Sequence, residues 1–193
     1  MIYFTSDLHF GHNQPFIYQA RGYNSMEEHD KDLIKRWNEK ITPDDTIYIL
    51  GDIMLGDNEY GLHCFCQLPG HIIIIRGNHE TNKRWKVYQK GLNVDSVELI
   101  GWSDFHKFVA YKHGAPHQYN MYLSHYPTMT YNSDENLPLN RRVINLCGHL
   151  HTKYRFKDFS RSNLCYHVEL DAHDMTPVSI EEVVSDIEGA LIR

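Results

Sequence analysis

The chain carries 14 histidines in 193 residues. Histidine is the commonest metal ligand and a proton carrier near neutral pH. Several stand beside acids and amides in five short segments: Asp7-Leu8-His9, Gly51-Asp52, Gly77-Asn78-His79-Glu80, Ser124-His125-Tyr126-Pro127 and Gly148-His149-Leu150-His151. One segment alone says little, since Gly-Asp and Gly-Asn-His are common turns and an isolated Asp-x-His is usually a surface loop. His149 and His151 say more, because residues two apart share one face of an extended chain. Position is what joins the five. Each follows an apolar run that reads as a buried strand, and ligands of α/β sheets gather at the carboxyl ends of strands. Five such loops at one sheet edge can converge on one site.

The elements that must position these loops follow from periodicity. Ile2 to Ser6 reads as a first strand. Ser25-Met26-Glu27-Glu28 is a capping box, opening a helix whose Met26, Leu33, Ile34, Trp37 and Ile41 follow helical spacing. Thr42-Pro43-Asp44-Asp45 ends it. Thr46 to Leu50 and His71 to Ile75 are continuous apolar runs, as buried strands require. Between them a short helix or turn is expected around Glu59 to Gln67, and a helix over Lys83 to Lys90 ends at Gly91. Then the pattern turns strand-rich: Val97 to Ile100, Phe105 to Lys112, Tyr119 to Ser124, Val143 to Cys147 and Leu164 to Leu170. A second capping box, Ser179-Ile180-Glu181-Glu182, starts a final helix with Ile180, Val183, Val184, Ile187 and Leu191 on one face. Alternation first and strands later predict layered sheets flanked by helices, in one domain over 1–193.

Composition narrows the function classes. At 41% hydrophobic and 23% charged, the chain is neither disordered nor collagenous. A formal charge of −6 carries no strong footprint for duplex nucleic acid. No apolar run approaches the roughly 20 residues of a membrane helix. Met1 to Asp7 lacks the features of a signal peptide, so a cytoplasmic location is expected. The four cysteines then read as reduced thiols, with Cys147 and Cys165 buried in apolar runs. Cys64-x-Cys66 lacks the two-residue spacer of a redox or zinc pair.

In order, Asp7-x-His9, Gly51-Asp52, Gly77-Asn78-His79-Glu80, His125 and Gly148-His149-x-His151 resemble the calcineurin-like metallophosphoesterase superfamily, in its small, cap-less bacterial and phage form. The resemblance spans Asp7 to His151. It implies a four-layer αββα sandwich of two mixed sheets flanked by helices. It also implies two divalent cations: Asp7, His9, Asp52 and His151 on one, and Asp52, Asn78, His125 and His149 on the other, with Asp52 as the bridge. Mn²⁺ is the expected ion, and Fe or Zn²⁺ suits the same donors. No sulfur belongs to the set, which disfavours Cu(I) or a structural zinc there.

A pair of ions about 3.5–4 Å apart neutralises phosphate oxygens and lowers the pKa of a bound water. The expected activity is therefore hydrolysis of a phosphodiester or phosphomonoester by attack of metal-bound hydroxide, with a small diester or nucleotide-like compound as the expected substrate. Asp52 and His79 are the expected catalytic residues, His79 as general acid to the leaving group. In many relatives a second acid, three residues after the bridging Asp, orients that histidine. Here the position is Leu55, so Asp57, Glu80 or a water would have to stand in. Arg76, His12 and Asn13 are candidate substrate contacts. Lys153, Arg155 and Lys157 alternate with aromatics and would form one basic face on an extended chain. The rival readings are a nuclease of the same superfamily and a non-catalytic metal-binding scaffold for protein partners. The oligomeric state is open.

Overall fold

The computed structural model describes residues 1–193 except Val94, Tyr131 and Arg193. Among the described residues, nine strands form two mixed sheets. The larger has the order β4-β3-β2-β1-β9, from β1 (Ile2–Thr5), β2 (Thr46–Leu50), β3 (His71–Ile75), β4 (Val97–Leu99) and β9 (Val178–Ser179). β1 to β4 pair in parallel, and β9 runs antiparallel to β1. The smaller sheet is β5-β6-β7-β8, from β5 (Ser103–Lys112), β6 (Ala115–Ser124), β7 (Val143–Cys147) and β8 (Leu164–His167). Here β5 and β6 are antiparallel, and β6, β7 and β8 are parallel.

Side-chain alternation explains the layering. Tyr48, Leu50, Ile73 and Ile75 point toward the smaller sheet and pack with Phe108, Met121, Leu123, Ile144, Leu146 and Tyr166. Ile47, Ile49, Ile72 and Ile74 point the other way, into a second core. That core is covered by α2 (Met26–Lys40), α3 (Asn58–Phe65) and α4 (Asn82–Gly91). Trp37 of α2 is fully buried there, and its indole N–H donates to the Pro69 carbonyl at 3.1 Å. Its removal to alanine would cost about 3–5 kcal/mol. The last helix, α5 (Ile180–Ile192), seats Ile180, Val183, Val184 and Ile187 in the core shared by both sheets.

Both capping serines work as expected. Ser25 Oγ accepts the Glu28 N–H, and Ser179 and Glu182 exchange bonds in both directions. The Glu28 carboxylate, however, reaches Asn24 rather than the cap itself. Three expectations shift. The run expected over Leu164 to Leu170 leaves the sheet after His167, and Leu170–Ala172 forms a 3₁₀ turn. β5 and β6 extend further than expected and join through His113 and Gly114, both at positive φ, as a tight two-residue hairpin prefers. A one-turn helix, α1 (Pro15–Tyr18), follows the first polar segment. No helix among the described residues is long and apolar enough to cross a membrane.

Register aligns the strand ends. Thr5 pairs with Ile49, and Ile49 with Ile74, so β1, β2 and β3 end side by side. Leu123 pairs with Leu146, so β6 and β7 also end together. All five polar segments leave from these carboxyl ends.

Candidate metal centre

The loops after β1, β2, β3, β6 and β7 bring Asp7, His9, Asp52, Asn78, His125, His149 and His151 together. Backbone bonds lock the loops to one another: Asp7 N–H donates to the Gly51 carbonyl at 3.0 Å, His9 N–H to the Asp52 carbonyl at 3.0 Å, and Gly148 N–H to the His125 carbonyl at 3.0 Å. Five of the seven residues sit in the left-handed region: Asp7 (φ 59), His9 (φ 55), Asp52 (φ 57), His149 (φ 76) and His151 (φ 47). Each such non-glycine residue costs on the order of 1 kcal/mol or more, and strain of this kind concentrates at functional sites.

Two motif glycines have a steric reason. A Cβ on Gly77 would strike Asp52 Oδ1 and the Glu80 carboxylate, and one on Gly148 would strike Ser6 Oγ and Asp7 Oδ2. Their loops can approach the acids only without side chains.

The side chains form two clusters that meet at Asp52. In the first, His9 Nε2 and His151 Nε2 are 3.1 Å apart, and Asp7 Oδ1 lies 3.4 Å from His151 Nε2. In the second, Asn78 Oδ1 lies 2.7 Å from His125 Nε2 and 2.9 Å from His149 Nδ1. Asp52 Oδ2 faces both, 3.9 Å from His9 Nε2 and 3.4 Å from His125 Nε2. The carboxyl of Asp7 is divided in its duties. Its Oδ2 accepts from Ser6 Oγ at 2.6 Å and from the His149 N–H at 2.9 Å. Its Oδ1 is buried with no hydrogen-bond partner. A bare carboxylate oxygen among converging imidazole nitrogens is costly in a buried site and is what a cation would satisfy. The donor set of carboxylate, imidazole and amide oxygen suits Mn²⁺, Fe or Zn²⁺.

The electrostatics agree. Burial works against the charged form of Asp7, but His9, His125 and His151 outweigh it and hold its carboxyl well below the ordinary range. Asp52 goes the other way: burial first, then Glu80 and Asp7, push its carboxyl up to about 8. Burial also lowers His9 to about 3 and lowers His149, so both rings are neutral and able to bind a cation. His125 Nδ1 faces the Leu50 carbonyl at 2.8 Å. That bond leaves Nε2 free for the cluster, the usual arrangement for a metal-binding histidine.

His79 lies against this group. Its N–H donates to Asp52 Oδ1 at 2.9 Å, and its Nε2 is 3.7 Å from Asp52 Oδ2. The ring is about a third exposed, so it touches both the cluster and solvent. Neither acid considered as its orienting partner serves that role. Asp57 caps α3, accepting from the Glu59 and Tyr60 N–H groups. Glu80 turns its carboxylate to the N–H groups of Asp52 (2.8 Å), Gly77 (2.8 Å) and Ile53 (3.0 Å), and to the Tyr88 hydroxyl (3.0 Å).

The outlying candidates divide. His12 Nδ1 is 3.2 Å from His9 Nδ1, and His12 and Asn13 line a cavity of about 620 Å³ with Leu55 and Tyr60. Arg76 is engaged elsewhere. It donates to the Glu80 carbonyl and Asn82 Oδ1, and its guanidinium stacks over Trp102. Residues 153–163 are not a strand, so no alternating basic face forms. Arg155 instead pairs with Asp186 of α5.

Two supporting residues had no sequence signal. Arg21, almost fully buried, donates to the Asp7 carbonyl (2.7 Å) and to both carboxylate oxygens of Asp171 (3.1 and 2.7 Å). Asp171 in turn lies 3.7 Å from His151 Nδ1. These contacts join residues far apart in the chain, which no local pattern reveals.

Comparison with known proteins agrees with the geometry. The profile of the calcineurin-like phosphoesterase family matches residues 1–176. The chain belongs to this family, and with it to the metal-dependent phosphoester hydrolases that bind a dimetal centre. It is 28% identical over 200 residues to an uncharacterized protein of Methanocaldococcus jannaschii, covering 100% of this chain and 94% of that protein. It is 30% identical over 206 residues to the gene 66 protein of Mycobacterium phage D29, covering 98% of each. A crystal structure of a protein of unknown function from Aquifex aeolicus has the same fold, with a TM-score of 0.63 at 21% identity, covering 96% of this chain and 98% of that one.

Proposed function

We propose that this chain hydrolyses a small phosphate ester, with preference for a diester or nucleotide-like compound, and that His79 donates the proton to the leaving group. The observation that carries this reading is the meeting of two nitrogen and oxygen clusters at the single carboxylate Asp52, 3.9 Å from His9 Nε2 and 3.4 Å from His125 Nε2. Two bound cations would neutralise the phosphate oxygens and lower the pKa of a water between them. Mn²⁺ is our choice of active ion.

The chain's own residues account for the rest. Asp7, His9 and His151 would hold one ion, Asn78, His125 and His149 the other, and Asp52 both. Asn78 contributes a neutral oxygen, so the centre keeps net positive charge for an anionic substrate. Burial lowers the His79 ring below its usual value, so the free ring is neutral at pH 7. To act as acid the ring must take up a proton and hold it against the leaving-group oxygen as the bond to phosphorus breaks. Apolar surface for an organic group of the substrate lies beside the His149 ring. Tyr126, Met129 and Leu150 line a cavity of about 500 Å³, and the Tyr126 ring lies 4.7 Å from the His149 ring. These three side chains are exposed and present apolar surface to a base or aryl group.

The test is hydrolysis of a chromogenic aryl phosphodiester by chelated protein, before and after Mn²⁺ is restored. Turnover that returns with Mn²⁺ supports the proposal. A protein that binds two ions yet turns over no mono- or diester with any divalent ion would favour a scaffold.

A further inference from the structure

The outer face of β7 and β8 carries a second group of metal-binding atoms, separate from the Asp52 clusters. Inward residues Ile144, Leu146, Leu164 and Tyr166 fill the core, so alternation turns Asn145, Cys147, Cys165 and His167 outward. The parallel register pairs Asn145 with Cys165 and Cys147 with His167. All four are fully buried. Cys147 Sγ lies 3.4 Å from Cys165 Sγ and 3.8 Å from His167 Nδ1. Buried Glu169 brings both carboxylate oxygens to 3.2 Å from the same Nδ1.

We propose that Cys147, Cys165 and His167 bind a single Zn²⁺-like thiophilic cation, distinct from the dimetal centre. Bond lengths of about 2.3 Å to sulfur and 2.0–2.1 Å to nitrogen set tetrahedral edges of about 3.8 Å between sulfurs and 3.6 Å from sulfur to nitrogen. The Cys147–Cys165 and Cys147–His167 separations lie within about 0.4 Å of these, and the three donor atoms all lie within 4.8 Å of one another. His167 also has the outer partner that such histidines use. Its Nε2 is 3.2 Å from Asp158 Oδ2, which fixes the ring and leaves Nδ1 for a metal. An entry route exists, because Cys165 and Asp158 both line the 500 Å³ cavity. The ion would brace the centre next door: Cys147 precedes Gly148-His149, and Glu169, against the His167 ring, accepts the Thr152 N–H just after His151.

Cobalt substitution tests this without reference to activity, because only thiolate ligands give an intense near-ultraviolet charge-transfer band with Co²⁺. The donors at Asp52 contain no sulfur and cannot produce it. The full chain loaded with Co²⁺ is expected to show the band, to keep it in Asp52→Asn and in the Cys64→Ser/Cys66→Ser double variant, to weaken it about twofold in Cys165→Ser, and to lose it in the Cys147→Ser/Cys165→Ser double variant. X-ray absorption of the zinc-loaded wild type is expected to show sulfur at about 2.3 Å. A wild type without the band, a band that survives the Cys147→Ser/Cys165→Ser double variant, or a zinc edge with no sulfur neighbour overturns the proposal. Because the band is read in Asp52→Asn as well, its absence is distinguishable from failure of the dimetal reading.

Discussion

Glu80 holds the backbone of Asp52: its Oε2 accepts the Asp52 N–H at 2.8 Å, and the same oxygen accepts the Gly77 N–H at 2.8 Å. The other oxygen takes the Ile53 N–H and the Tyr88 hydroxyl. One buried carboxylate thus fastens the loop of the shared ligand to the loop that carries Asn78 and His79. Four donors converge on two oxygens, and no amide can accept them all.

Glu80→Gln replaces one acceptor with an NH₂ that faces backbone N–H groups. Each donor left unsatisfied in a buried site costs about 1–3 kcal/mol. Two donors lose their acceptor, so the variant is expected to lose about 2–6 kcal/mol of stability in denaturant unfolding and to bind Mn²⁺ more weakly. A denaturant midpoint and metal affinity equal to wild type would remove Glu80 from this role.

Arg21→Ala strips the Asp7 loop of its tie to Asp171. The pair is buried, and breaking one side of such a pair costs about 3–5 kcal/mol. Thermal unfolding should show the loss, and the ion held by Asp7, His9 and His151 should be released first on titration with a chelator. A variant that loses no stability would show the pair to be idle.

The metal-free chain has a defined pH response. Unfolded Asp52 ionises near 4, whereas the folded, metal-free carboxyl holds its proton up to about 8. Between those values the native state binds the extra proton, so its stability falls as pH rises. His9, lowered to about 3, has the opposite sign, but its contribution is complete above about 6.5. From pH 6.5 to 8 only the Asp52 contribution of the two remains. A bound cation keeps Asp52 ionised and removes that slope. The gap in Tm between Mn²⁺-loaded and chelated protein should therefore widen from pH 6.5 to 8. A gap that stays constant or narrows contradicts the assignment of Asp52.

His79→Gln should leave two ions per chain and lower kcat by about 10²–10⁴-fold on alkyl esters, with far less effect on nitrophenyl esters, whose leaving groups need no proton. Equal losses on both would assign His79 to binding rather than to proton transfer.

Features of this fold are legible in the sequence where their information is local. The runs Thr46–Leu50 and His71–Ile75 and the cap at Ser25 can be read because a strand or a helix start is written in adjacent residues. The five polar segments can be read because each follows such a run, and the seven residues singled out within them because, in order, they resemble the calcineurin-like pattern. Glu80 is harder: its neighbour His79 marks the loop, but only the fold shows that the carboxylate reaches back to Asp52. Arg21 with Asp171, and Cys147 with Cys165 and His167, are set by packing and by strand register. The start of β6 is obscured because Ala115-Pro116-His117-Gln118 is mostly exposed and carries a proline and polar residues in place of the apolar alternation that marks a strand.

Whether Asp52 stands between two cations can be seen by anomalous diffraction at the manganese edge, from crystals grown with Mn²⁺. Two peaks about 3.5–4 Å apart are expected, one beside Asp7, His9 and His151, the other beside Asn78, His125 and His149, with Asp52 in contact with both. A single peak, or two peaks that do not share Asp52, would contradict the bridging role.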